Sequence, residues 1–376
     1  MAKPYIYLAF TDDWELRGDG SGDLDKLQFK PMQRLLDMFD RYGVRSTFMV
    51  EAMQQLTFRA HQKDLAELEG RADQWDANVR EAHSRGHDIQ LHIHPQWSDA
   101  NLINGGWSLK GDWSLPNYPS LSAAEMIHAG KTYLEDLLRP FDPDYNCVAF
   151  RSGSSVIAPS QFMLGLLAEQ GFVFDLSIVG GLLVNTRNVQ FDYTDCDEDF
   201  VPYYPLMTDA RRLSRKVEPI ICVPIFSFIG SPRSARTQII AKARAKLLKT
   251  GSRSNDASYA SNEWAEIGRS SFIARLLDKV IKPALIGKPL TADTGQLSFP
   301  LLCEMLDHIR SRARSTGLAD MPVILTNHSK YMTDLSAMEK FLAIVSTAED
   351  IRTITLTELA GHLQSGKFRI MKADAG

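Results

Sequence analysis

The chain has 376 residues, long enough for one large α/β domain carrying an insertion or for two domains. Hydrophobic residues make up 44% and charged residues 23%, an ordinary globular balance that excludes wholesale disorder. With 42 basic against 46 acidic residues the formal net charge is −4, which gives nucleic acid no electrostatic footing as a partner.

The first apolar run, residues 5–10, predicts a buried strand that ends at Thr11-Asp12-Asp13. It is too short for the apolar segment of a signal peptide, and no stretch approaches the ~20 apolar residues of a membrane span. Cys147, Cys196, Cys222 and Cys303 lie far apart, with no C-x-x-C spacing, and read as free thiols of a reducing compartment. The expected location is therefore the cytoplasm. Residues 29–42 carry Met32, Leu35, Leu36, Met38 and Phe39 at helical spacing, with Gly43 at the helix end. A second strand follows at 44–50, a helix at 74–84 and a third strand at 88–93, closed by Pro95. After an aromatic-rich loop at 107–119 come a helix at 125–138, a strand at 147–150, a helix at 161–169 and a strand at 172–178. This alternation argues for an α/β fold with a parallel sheet, either open or closed into a barrel.

The pattern breaks after Gly180. Residues 185–295 have mixed composition and are expected to form a long insertion in a single domain spanning 1–376. They include an acidic patch (Asp192, Asp195, Asp197, Glu198, Asp199) and a candidate further strand at 220–226. Alternation resumes with a strand at 323–325, a helix at 335–345 and a strand at 352–356.

Polar residues gather just after the strand ends, where a β/α barrel carries its chemistry. Asp12 and Asp13 are adjacent, so on a strand they point to opposite sides. One carboxylate can hold a metal while the other faces substrate; an isolated pair would equally serve as a helix cap or a turn. His92 and His94 are two apart on one strand face, and two imidazoles with one carboxylate suit a divalent ion such as Zn²⁺. His87 lies at the other end of that strand and reads as structural.

These segments bring a family into view. GHDIQLHIHP, preceded by AFTDD and GVRSTFMVEA and followed by AFRSG, FDLS and LTNHSK, resembles the polysaccharide deacetylases of carbohydrate esterase family four. The resemblance implies their fold, the distorted (β/α) barrel of the nodulation-type chitooligosaccharide deacetylase. It also implies an activity: metal-dependent removal of an N-acetyl group from an amino sugar during surface-polysaccharide or lipopolysaccharide synthesis. By the same resemblance Asp12 is the catalytic base and Asp13 and His92 hold the metal, with His94 taken as the substitute for the family's second metal histidine. Arg151 orients the base, Asp175 tunes the acid and His328 is that general acid. A backbone N–H near Gly153 or Ser154 completes an oxyanion hole. The family spaces its metal histidines four apart, whereas position 96 here is glutamine, and the aromatics that follow its arginine and fifth-strand aspartate are absent. Two alternatives stay open: a hydrolase of another linear or cyclic amide, and an inactive carbohydrate-binding protein.

Residues 233–253 hold seven basic residues and no acidic one. A basic amphipathic helix there would suit a membrane surface or a lipid-linked substrate, and equally a plain solvated helix. Trp97, Trp107, Trp113 and Tyr118 are candidates for stacking on a sugar or for packing their own loop.

Overall fold

A computed structural model describes residues 4–103, 106–232, 288–332 and 334–374. The basic segment at 233–253 lies outside the described residues. In chain order, β1 (Tyr5–Trp14) leads through α1 (Lys30–Arg41) to β2 (Thr47–Glu51), α2 (Ala52–His61), α3 (Ala66–Ser84) and β3 (Asp88–Ile93). A small hairpin of β4 (Asn101–Ile103) and β5 (Gly106–Ser108) precedes α4 (Ser120–Leu138), β6 (Ala149–Ser152), α5 (Met163–Glu169) and β7 (Phe174–Asp175). Next come β8 (Leu183–Asn185), β9 (Gln190–Asp192), β10 (Pro205–Leu206), β11 (Asp209–Leu213), β12 (Ile221–Cys222), β13 (Ser227–Gly230) and β14 (Lys288–Thr291). The chain finishes with α6 (Phe299–Thr316), β15 (Asp320–Leu325), α7 (Ser336–Val345), β16 (Ile351–Thr353) and α8 (Leu356–Gln364).

Parallel strands run in the order β12-β7-β6-β3-β2-β1-β15, and β16 wedges in beside the first half of β1. The two edges are joined by single bridges, because Ile225 pairs with both Val179 and Ile324. The result is a distorted (β/α) barrel, as expected: continuous sheet on one side, stitched closed on the other. Residues 221–222, inside the region read as an insertion, belong to this sheet through β12. The hairpins β8–β9 and β10–β11 and the antiparallel pair β13–β14 lie outside it.

Local chemistry accounts for the elements. In α1 the expected apolar stripe is buried, and Gly43 takes φ +63° just past the helix, a conformation that costs glycine little. Helix α2 was not expected, because its core face includes Gln54, Gln55 and Thr57, which break the apolar period. The glutamine amide nitrogens find partners inside: Gln55 donates to Ala72 O and to Asp76, each at 2.9 Å, and Gln54 donates to Gln28 at 2.8 Å. Helix α3 starts eight residues before the expected 74, over a polar first two turns holding Glu67, Glu69 and Arg71.

Strand alternation sorts the interior. On β1, Ile6, Leu8, Phe10 and Trp14 pack into the layer between sheet and helices, whereas Ala9 belongs to the cluster inside the barrel. On β3, Ile89, Leu91 and Ile93 likewise face the helices. Residues of the opposite parity therefore look inward. At one end the barrel is filled by Met49, Phe174, Ile221 and Ile324 against Leu356, Leu359 and Leu363 of α8. At the other end it opens into a cavity of roughly 810 Å³.

Candidate active site

The inward parity at the carboxyl ends of the strands delivers one polar set: Asp13 and Glu15 from β1 and its end, Glu51 from β2, His92 and His94 from β3, Arg151 from β6 and His328 just after β15. All are at least nine-tenths buried except His328, which is partly exposed. Asp13, Glu15, His92, His94 and His328 line the cavity.

Glu15 is the carboxylate closest to the two imidazoles. Its Oε2 lies 2.5 Å from His94 Nε2 and 3.7 Å from His92 Nε2, while Oε1 accepts from Lys330 Nζ at 2.8 Å. Burial opposes its charge, but His94, Lys330 and His92 more than offset that and hold the carboxyl well below the usual range. His92 Nδ1 is 2.9 Å from Arg151 O, so Nδ1 carries a proton and donates it. Burial alone would lower the His92 pKa; Asp13 and Glu15 push it up to about 9. His94 is lowered by burial, and its backbone N–H donates to Glu51. The Glu51 carboxyl is itself pushed up to about 8 by burial. His94 Nδ1 stands 3.1 Å from Gln96 Nε2, which also donates to Gly18 O. With the amide nitrogen facing it, Nδ1 accepts and the ring proton sits on Nε2 against Glu15; with the amide reversed, Nε2 offers a lone pair.

Asp13 is ion-paired with Arg151, whose Nη2 donates to Thr11 Oγ1 at 2.8 Å. Burial works against the Asp13 charge, and Arg151, His92 and His328 overcome it, leaving the carboxyl below its ordinary value. On its other side Asp13 Oδ2 is 3.5 Å from His328 Nε2, and His328 Nδ1 is 3.1 Å from Asp293 Oδ2. Burial disfavours the imidazolium, but Asp293 and Asp13 raise the His328 pKa above its ordinary value. Asp293 is aligned because Thr294 N donates to Thr326 O and Thr326 N to Ala292 O, stitching 292–294 alongside the end of β15.

The expected set is therefore divided. Arg151, His92, His94 and His328 come together around Asp13. Asp12 does not join them: it has the other parity, accepts from Asn327 and is absent from the cavity lining. Its carboxyl is pushed up to about 7, by burial first and by Asp13 second. Asp175 also has outward parity. It accepts from Ser177 N at 2.9 Å and Ser177 Oγ at 2.7 Å, and Ser177 Oγ accepts from Ser152 N at 2.8 Å. It thus braces the end of β6, while the carboxylate bonded to His328 is Asp293. Glu15 and Asp293 were not anticipated. Glu15 was detectable by parity, being two residues beyond Asp13; Asp293 carries no local signal, since a distant segment brings it in.

Gly153 fits against this cluster because a Cβ there would sit 2.6 Å from Ile93 O and 3.0 Å from His94 Nδ1. The next two residues, Ser154 and Ser155, line the cavity in left-handed backbone, at φ 55° and 61°. Trp97 and Trp107 pack in an aromatic cluster with Phe58 instead of lining the cavity: Trp107 stacks on Phe58 at 5.5 Å, and Trp97 meets both edge-on.

The donor set suits a divalent ion. Glu15, His92 and His94 each offer an atom within 4.8 Å of the others, all three are buried, and both histidine Nε2 atoms point at the Glu15 carboxylate. With His92 Nδ1 held by a carbonyl, the usual second interaction of a metal-binding histidine, Nε2 is the atom left to face a metal.

No family model matches the sequence, and no curated protein does. Solved structures do. A protein assigned as a polysaccharide deacetylase from Mycobacterium smegmatis is 15% identical, over 100% of this chain and 96% of that one, with a TM-score of 0.52. Two others align at a TM-score of 0.48, an allantoinase at 12% identity and a protein from Pseudomonas aeruginosa assigned as a polysaccharide deacetylase at 13%; each alignment covers 96% of this chain and 91% of the other. The first of these similarities gives the chain the fold of the polysaccharide deacetylases.

Proposed function

We propose that the chain is a hydrolase of amide C–N bonds of the polysaccharide deacetylase type, acting on an N-acylated amino sugar. One observation carries the reading: a carboxylate oriented by arginine and a histidine oriented by carboxylate face each other across 3.5 Å, beside a buried Glu-His-His donor set. In this reading Asp13, not Asp12, is the base, and Glu15, not Asp13, is the carboxylate of the metal site. A divalent ion such as Zn²⁺ would be held by Glu15, His92 and His94; when bound, it brings the pKa of water to about 7 and polarises a carbonyl.

The chain's own residues do the proton work. Asp13 stays ionised beside Arg151 and takes the proton of the attacking water. His328, kept protonated by Asp293 and Asp13, gives a proton to the departing amine, which is a poor leaving group without one. A backbone N–H of the turn at 153–155 is the candidate donor to the oxyanion. A place in surface-polysaccharide or lipopolysaccharide synthesis is the corresponding cellular reading. Among the described residues, no helix is long and apolar enough to cross a membrane.

The test combines metal analysis with acetate release from N-acetylated amino sugars. The protein purified without chelator is expected to carry one equivalent of a divalent ion, and Glu15→Gln to lose it together with turnover. A Glu15→Gln protein that binds zinc as tightly as the parent would remove this assignment.

A further inference from the structure

We propose that the amide's acyl group is a chain longer than acetyl, lying along an apolar wall of the catalytic cavity; this rests on the hydrolase reading above. At roughly 810 Å³ the cavity falls high in the ~300–1,000 Å³ span of small-molecule sites. Its strand-end groups are polar, but the β8–β9 hairpin, strand β14 and the stitched side of the barrel give it a different lining. Val184 and Phe191 are register partners across β8–β9 and so share a face; Leu182, two residues before Val184, joins them. The alternate residues Leu183, Asn185, Gln190 and Asp192 are exposed, so this hairpin turns its apolar side to the cavity. Leu290 of β14 lines the cavity as well, and Val179 and Ile225 reach it from the bridges that close the barrel.

None of these six side chains can accept or donate a hydrogen bond. Sugar hydroxyls pressed against them would give up water without a replacement partner, which is costly. An alkyl chain gives up nothing and gains from leaving water. The scissile carbonyl carbon must sit among Asp13, His328 and the Glu15–His92–His94 set, so the apolar wall suits the chain attached to that carbon. An acetyl methyl would leave most of it uncovered. The chemistry is unchanged. Water adds to the carbonyl carbon as Asp13 takes its proton, the C–N bond breaks as His328 protonates the nitrogen, and the products are a fatty carboxylic acid and a free amine.

The test uses glucosamines N-acylated with two to ten carbons, together with N-acetylglucosamine bearing an alkyl chain of matching length at the anomeric oxygen. Binding is measured by calorimetry on Asp13→Asn, and amine release on the parent. The expectation is a three- to fourfold gain per added acyl methylene, roughly, in both affinity and kcat/KM until the wall is covered. Phe191→Asn combined with Leu290→Asn should flatten both slopes, while Phe191→Leu should keep them, which separates lost apolarity from lost folding. Flat binding and turnover across the acyl series would overturn the proposal, since the wall would then be covered by something other than substrate. Gains that follow the anomeric chain instead would also overturn it and point to a lipid-linked sugar. Affinity that climbs with acyl length without any amine release would leave the wall assignment standing and end the hydrolase reading.

Discussion

Strand β3 has histidines at both its ends, each set against carboxylates, equally buried and oppositely used. At its start, His87 Nδ1 accepts from Ser46 N at 3.2 Å and Nε2 donates to Asp40 at 3.2 Å, so the neutral ring has both nitrogens occupied. Beside it, Asp88 accepts from Thr47, Gln90 and both donors of Thr357, and so ties β3 to the first turn of α8. At the far end, His92 and His94 turn Nε2 toward the charged carboxylate of Glu15, and Asp13 and Glu15 are balanced by Arg151 and Lys330 instead of by neutral donors. Burial costs the same at either end. What differs is whether the cost is met by a closed hydrogen-bond set or by charges that a ligand could share. The first arrangement stabilises the fold, and the second stores reactivity.

Substitutions at the two ends should therefore fail differently. The largest effect is expected in Asp13→Asn, where removing the base should lower kcat by a factor of about 10²–10⁴ with bound zinc unchanged. Asp12→Asn, on the other face of the same strand, should stay within about tenfold of the parent; steady-state kinetics with metal analysis checks the pair, and a reversed order would break the parity argument. Asp293→Asn should lower kcat by about ten- to a hundredfold. It should also move the alkaline limb of the pH–rate profile to lower pH. Asp293 favours the protonated form of His328, which is the form required of the acid, so its loss lets that proton leave earlier. An unmoved limb would assign the limb to another group.

At the structural end the effect is smaller and thermodynamic. Burial lowers the His87 pKa from 6.5 to about 4, so the unfolded chain binds a proton that the folded protein refuses. Stability is thus complete above pH 6.5 and falls as the pH drops toward 4, by about 3 kcal/mol at most from this group. His87→Gln should flatten that part of the pH dependence in denaturant melts and leave kcat per folded molecule unaltered. A steep acid slope that persists in His87→Gln would place the sensitivity elsewhere.

The barrel was legible because its strands and most of its helices keep their hydrophobic periods. The expected strands at 5–10, 88–93 and 323–325 lie within β1, β3 and β15. Helix α2 hid because glutamines, whose amide nitrogens bond other buried groups, occupy its core face. The expected fifth strand, 172–178, is regular only at Phe174–Asp175, because beyond it the Ser177 N–H turns to the Asp175 carboxylate instead of to a neighbouring strand. Within the site, the histidines were visible as a same-face pair and His328 as a strand-end residue. Choosing between Asp12 and Asp13 required knowing which face of β1 looks inward; the bulky Ile6, Leu8 and Phe10 against small Ala9 already hold that information. Asp293 was out of reach, because nothing near it in sequence announces that a returning segment will lie beside β15.

Strand β1 makes its pairing with β15 across a separation of some 315 residues: Tyr5 opposes Asp320 and Phe10 opposes Leu325. During synthesis at ~5–20 residues per second, the first strand waits roughly 15–60 s for that neighbour to emerge. Throughout that interval an apolar segment with one bare edge is available to any passing chain. The strand that carries Asp13 is thus left with an open edge while nascent, and folded protein should accumulate only after residues 320–325 have left the ribosome.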